Sequence, residues 1–220
     1  MHVSTYQPPA NTGLALIHVD EHLIVLDKPA GLLSVPGRGE DKHDSLATRA
    51  AQAYPGVLIV HRLDMDTSGL LVLARDADTH RRLSKLFHDR VVDKRYVALI
   101  EGRPAQEQGE VDQPLNVDWP NRPLHIVDHE NGKRALTRYW VQDYEADLHA
   151  SRVLLEPVTG RTHQLRVHMQ WLGHPILGDT LYAQPATRAK ATRLLLHAAL
   201  LELPHPVTGE TMRWESPAPF

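Results

Sequence analysis

Cysteine is absent from the 220 residues. Disulfides and thiolate metal sites are therefore excluded, and nothing argues for an oxidising compartment. Long apolar runs are also missing: no stretch approaches the roughly 18–20 residues a membrane helix needs. The N-terminus, Met1 to Asn11, is polar and proline-containing, without a signal-peptide core. A cytoplasmic location with no membrane partner is the expectation. Ligand spacing for a metal is lacking as well. His163 and His168 stand five apart, not the four that puts two ligands on one helix face, and there is no His-Glu-x-x-His pattern. No metal is expected. Phosphate-loop and dinucleotide fingerprints do not occur either.

A basic excess is missing too. With 24 basic and 27 acidic residues the net charge is −3, so total charge does not advertise a polyanionic partner. The charge is segregated, however. Arg81, Arg82, Lys85, His88, Arg90, Lys94 and Arg95 fall close together, as do Arg161, His163, Arg166 and His168, while acids collect between Glu101 and Asp118. A basic face on a neutral body can bind phosphates, and two solvated surfaces would look the same. What is present is an ordinary folded composition, 42% hydrophobic and 23% charged.

The apolar pattern reads as many short strands and few helices. Leu14–Val19 and Leu23–Leu26 form a hairpin around Asp20-Glu21-His22. Asp44 caps a helix over Ser45–Tyr54, stopped by Pro55-Gly56. Val57–Val60 and Gly69–Ala74 are strands, and Asp76 caps an amphipathic helix over Ala77–Asp89 with Leu83, Leu86 and Phe87 on one face. Tyr96–Ile100 is a strand and Gly102–Pro123 irregular chain. Residues 124–144 and 152–156 hold further antiparallel strands, Thr162–Leu172 a helix, and Leu194–Leu203 and Thr211–Trp214 the last strands. The fold class is α+β, with a mixed, mostly antiparallel sheet and flanking helices. Residues 1–13 form an N-terminal extension and 14–220 a single domain. With no evident dimerisation segment, a monomer is expected.

Four segments carry chemistry. His61-Arg62-Leu63-Asp64-Met65-Asp66-Thr67-Ser68-Gly69 lies between two apolar strands, where a rigid loop can hold catalytic groups. By itself it is ambiguous: Asp64 could be a turn residue or an N-cap, and Arg62 its neutralising partner. In Gly160-Arg161-Thr162-His163-Gln164-Leu165-Arg166-Val167-His168, helical spacing gives an apolar face through Leu165, Met169 and Leu172. Thr162, His163, Arg166 and Gln170 give a polar one, and Arg166 could hold a carboxylate by paired hydrogen bonds. Lys28-Pro29-Ala30-Gly31-Leu32 is a structured turn, and Lys94-Arg95-Tyr96 opens a strand.

Together, and in this order, the four segments resemble the RluA family of pseudouridine synthases. His61–Gly69 and Gly160–His168 match that family's two long motifs, and Lys28–Leu32 and Lys94–Tyr96 its shorter ones. Gly173–Asp179 and Leu196-His197-Ala198 match two later segments. The likeness runs from about residue 14 to the C-terminus. With about 13 residues before the first strand, the S4-type RNA-binding domain that many relatives carry is not expected here. Gly31–Arg38 and Asp118-Trp119-Pro120-Asn121-Arg122-Pro123 resemble the short members that act on both 23S rRNA and the anticodon stem-loop of tRNA.

The resemblance implies isomerisation of uridine to pseudouridine in structured RNA held in a central cleft, with the nucleotide extruded from its stack. No cofactor is implied. It assigns the essential carboxylate to Asp64, as nucleophile or general base. Arg166 would pair with it, and Tyr96 would stack under the base and could take the C5 proton. Arg62 would fill the place of the flipped base. His61, Arg161, His163, Arg81, Arg82 and Lys85 would join it in binding RNA, with Lys133-Arg134 as further phosphate contacts. Asp66 is expected to turn outward. Aromatic residues make up only 5%, so recognition should rest on stem-loop shape rather than on extended stacking platforms. The same chemistry at other rRNA or tRNA positions is the alternative, followed by a non-catalytic RNA-binding or ribosome-assembly factor and, more remotely, a hydrolase or metalloenzyme.

Overall fold

A computed structural model describes residues 6–220; the first five residues of the N-terminal extension lie outside it. The chain forms two compact units. One comprises residues up to Asp93 together with Ala198–Pro219, the other Lys94–His197 with Phe220.

In the first unit, β1 (Leu16–Val19) and β2 (Leu23–Lys28) form the expected hairpin. Asp20 builds its turn by accepting the N–H groups of His22 and Leu23. Burial pushes this carboxyl up, but hydrogen bonds from His18 and those two amides outweigh it and hold Asp20 at about 2. β2 continues antiparallel onto β4 (Ser68–Ala74), and β3 (Leu58–Ile59) pairs with the other edge of β4. Every residue of β4 is buried, as an apolar run covered on both sides requires. The helices are α1 (Leu46–Ala53) and α2 (Ala77–His88). Asp76 caps α2 as expected, accepting the amides of Asp78 and Thr79.

At α1 the cap differs from the expectation. Ser45, not Asp44, is the N-cap, closing a capping box with Thr48. Asp44 instead takes a paired contact from Arg49, at 2.8 and 2.7 Å. The first unit's core joins Leu23, Val25, Leu70, Val72 and Leu83 to Leu201, Leu203 and Trp214. Those last residues come from the hairpin of β11 (Leu196–Pro204) and β12 (Thr211–Glu215).

The second unit is built on β5 (Asp93–Glu101), β10 (Ala150–Pro157), β9 (Leu136–Glu145) and β6 (Gln108–Asp112), antiparallel in that order. A separate ribbon pairs β7 (Leu115–Val117) with β8 (His125–Val127). Strands therefore interrupt the segment 102–123 expected to be irregular. β6 buries only Val111, so its apolar pattern is too thin to read alone; its hydrogen bonds to β9 define it. The helix α3 (Gln164–Trp171) packs Leu165 and Met169 into a core with Ala98, Ile100, Val153 and Leu155, and the short α4 (Pro185–Arg188) follows. The α+β class with an antiparallel sheet is as the sequence indicates.

Candidate active site

The loop carrying Asp64 is fixed from both sides by main-chain bonds within the first unit. Ser34 Oγ donates to the carbonyl of Leu63 at 2.7 Å and accepts its N–H at 3.1 Å. On the other side, Gly31 N–H donates to the Met65 carbonyl at 2.9 Å. Lys28 is fully buried, and its Nζ donates to the carbonyls of Pro29, Leu32 and Met65 at 2.7–2.9 Å. Asp64 thus lies between two pinned neighbours, and its amide oxygen accepts the N–H of Thr67. The turn Lys28–Ser34, legible in sequence only as a structured turn, is the brace of the Asp64 loop.

Gly69 closes that loop. Its φ is +112°, and a Cβ there would stand 2.3 Å from the Ala198 carbonyl oxygen. Only glycine fits so close an approach.

His61 is half-buried. Its Nε2 accepts the N–H of Val72 at 3.1 Å, taking over where β3 stops, and its ring stacks on Phe87 at 4.5 Å. That bond requires the tautomer with the proton on Nδ1. The imidazole expected to contact RNA is thus committed to the loop's scaffold. Arg62 differs: it is exposed, and among the described residues its side chain has no hydrogen bond or ion pair. Asp66, expected to face outward, is half-buried.

The basic face of α2 is less basic than its sequence suggests. Arg81 and Arg82 both pair with Asp78, at 3.0 and 2.7 Å, and Lys85 pairs with Asp89 at 2.6 Å. All three cations are exposed, so these pairs are weak and open to exchange for phosphate.

In the second unit, Arg166 leaves the polar face predicted for it and is buried, as is every residue from Gln164 to Met169. It meets Asp179 in a paired contact, Nε to Oδ2 at 2.8 Å and Nη2 to Oδ1 at 2.6 Å. Asp179 Oδ1 also accepts the amides of Leu181 and Tyr182, and the Tyr182 ring lies 5.1 Å under the guanidinium. Sequence reasoning assigned Asp179 no role; it is a lone loop carboxylate thirteen positions from its partner. Tyr182 was missed likewise. Its oxygen accepts the N–H of His125 and lies 2.7 Å from His163 Nδ1, to which its O–H can donate.

His163 has φ +56° at the start of α3. Gln164 stitches the preceding turn. Its Oε1 accepts from Thr159 Oγ1 and Arg161 N, while Nε2 donates to Leu136 O and Thr137 Oγ1. Arg161 is exposed, with Nε on the Arg134 carbonyl at 3.2 Å. Tyr96 is half-buried on β5 opposite Leu155 and packs on the second unit's core.

His168 is buried, with Nδ1 2.8 Å from Thr137 Oγ1 and Nε2 3.0 Å from the Gln113 carbonyl. Burial pushes its pKa below the usual value. Protons then bind the unfolded chain more tightly. The stability tied to this group is full above its unfolded value of about 6.5 and falls as pH drops from there toward the folded value. We expect Tm to decline as pH is lowered below about 6.5. His168→Gln, which can keep the bond to Gln113, should show a shallower decline. Equal slopes in both proteins would contradict this assignment.

Comparison with known proteins identifies the family of the chain. Residues 22–171 match the family described as RNA pseudouridylate synthase. The chain is 50% identical over 220 residues, the whole of both proteins, to the dual-specificity RNA pseudouridine synthase RluA of Escherichia coli strain K12. Its identity to the enzyme of that name from Pasteurella multocida is 44%, again over the whole of both. Among solved structures, human RNA pseudouridylate synthase domain containing 1 matches with a TM-score of 0.81 at 29% identity, covering 97% of this chain and 87% of that one. Human RNA pseudouridylate synthase domain containing 4 matches with a TM-score of 0.73 at 28% identity, covering 94% and 88%. The matched segment includes the braced Asp64 loop and the Arg166 helix, and the chain belongs to the RNA pseudouridylate synthase family as an isomerase that converts uridine in RNA to pseudouridine.

Proposed function

We propose that this isomerase acts on two kinds of folded RNA, a 23S rRNA hairpin and the anticodon stem-loop of tRNA, with Asp64 as its essential carboxylate. The dual range rests on likeness to enzymes named for dual specificity over their full length. The role of Asp64 is supported by one observation above the rest: both of its neighbours are pinned through their main chains. A carboxylate that must meet one sugar carbon gains most from such prior placement.

The reaction breaks the bond between C1′ and N1, turns the freed base, and forms a bond from C1′ to C5. The proton on C5 is lost and N1 gains one. No electrons are transferred overall, so this reading calls for no cofactor. Asp64 serves as nucleophile at the sugar or as the base that removes a sugar proton. Arg166, oriented by Asp179, is proposed to hold the reacting carboxylate in its charged form. Tyr96 is proposed to stack beneath the turning base and accept the C5 proton, and the exposed Arg62 to occupy the gap left in the RNA.

The test is to incubate the protein with unmodified 23S rRNA and tRNA transcripts, without metal or nucleotide, and to map pseudouridine at each position. We expect one modified uridine in each RNA. Modification confined to a single class, or at other positions, would replace the dual reading with a narrower or different substrate.

A further inference from the structure

The segment Asp118–Pro123 plays no part in the chemistry just described, yet it is the most conspicuous surface feature of the second unit. It is the tip of the β7–β8 hairpin. The turn is tightly built: Asp118 N–H donates to the Leu124 carbonyl, Leu124 N–H to that of Asn121, and Asn121 N–H to that of Asp118. Asn121 Nδ2 adds a bond to the Asp118 carboxylate at 3.0 Å. On this rigid turn Trp119 is 64% exposed, more than any other large apolar side chain among the described residues. The guanidinium of Arg122 lies 4.9 Å from its ring centroid. Among the described residues neither side chain makes a hydrogen bond or ion pair.

An exposed indole offers a broad flat face on which another π-system can stack in an offset arrangement. A cation stacked on one face holds the ring still and leaves the other open. The surroundings favour an anionic, π-bearing partner. Lys133 and Arg134 follow the hairpin, with Lys133 bridged to Leu115 at its base, and Arg161 reaches the Arg134 carbonyl. Two of the nearby carboxylates are occupied in shaping loops: Asp118 as above, and Asp128 by Asn116 and the amides of Glu130 and Asn131; Asp112 stands 3.9 Å from Arg134 in an exposed pair open to exchange for phosphate. The hairpin is also tied to the Arg166 region, because the Tyr182 hydroxyl holds His125 at the start of β8.

We propose that Trp119 is a base-stacking contact for the RNA substrate, with one unpaired nucleobase on the indole face opposite Arg122 and the Arg122 charge on a neighbouring phosphate. The base is one other than the uridine isomerised, so the hairpin reads the shape of the loop and not the reaction. This rests on the RNA-isomerase assignment and is independent of which RNA is modified.

The experiment uses whichever transcript the wild-type protein modifies. It compares wild type with Trp119→Ala, Trp119→Phe and Arg122→Ala in kcat, KM and the salt dependence of binding. Loss of one base stack corresponds to roughly a 5- to 150-fold rise in KM for Trp119→Ala, with kcat within about two-fold. Phenylalanine should restore most of the affinity. Arg122→Ala should reduce the slope of log K against log salt by about 0.7–0.9, the value of one phosphate contact; Trp119→Phe should leave that slope unchanged. Unaltered Tm in each variant shows that folding is intact. Wild-type KM in Trp119→Ala would overturn the proposal, as would a fall in kcat at unchanged KM. No modification by the wild-type protein would instead strike at the RNA-isomerase assignment.

Discussion

Asp64→Asn should lower turnover by about 10²–10⁴-fold or more, the range set by removal of a positioned base, with an abolished nucleophile at or beyond its upper end. The substitution keeps the side chain's shape and removes its charge and its lone-pair basicity. It leaves untouched the bonds that fix the loop, which run from Ser34 to Leu63 and from Lys28 and Gly31 to Met65. RNA affinity should therefore persist while conversion disappears. Single-turnover conversion measured beside filter binding separates the two. Turnover near the wild-type rate would remove Asp64 from the mechanism. Equal loss of binding and conversion would make it a recognition residue.

The second large effect belongs to Asp179. Its side chain is fully buried and accepts four hydrogen bonds, two from Arg166 and two from main-chain amides. Asp179→Asn removes the negative charge and turns an N–H₂ group toward one of these donors. A buried cation that loses its partner costs about 3–5 kcal/mol, which for a chain of this size lowers Tm by roughly 6–20 °C. Arg166→Met leaves the opposite charge stranded and should also destabilise. In the double variant neither charge remains, so its loss should be smaller than the sum of the two. Thermal unfolding of the three proteins measures that coupling. Additive losses would show that the two side chains are energetically independent. Activity should vanish wherever Arg166 is absent, whatever the stability, if Arg166 serves the reacting carboxylate as proposed.

Much of this architecture could be read from local pattern. The alternation and breaks around β1, β2 and β4, and the cap at Asp76, are short-range signals, and they led to the right elements. Errors fell where distant partners decide. Asp44 and Ser45 are both good capping types, and the choice between them was made by Arg49, which draws off the aspartate. β6 exists because β9 lies beside it. Helical spacing set Arg166 on a polar face because arginine is polar; it is buried because Asp179, far along the chain, neutralises it. Lys28 shows the same blindness. A lysine at a strand end before proline looks solvated, yet its ammonium is enclosed by carbonyls of the residues it organises. Asp64, proposed as the essential carboxylate, stood out in its motif, whereas the groups that brace its loop and pair with Arg166 did not.

The interrupted path of the first unit has a consequence for biosynthesis. Its core needs Leu201, Leu203 and Trp214, which follow the whole of the second unit in the chain. The second unit, apart from Phe220, is one continuous stretch, Lys94–His197. As the polypeptide leaves the ribosome, the later-encoded unit can close first. The strands that flank Asp64, although made earlier and covered in part by α2, must wait with the rest of their apolar surface uncovered until the final hairpin emerges. A nascent chain arrested before that hairpin would display a carboxylate loop whose core still lacks Leu201, Leu203 and Trp214.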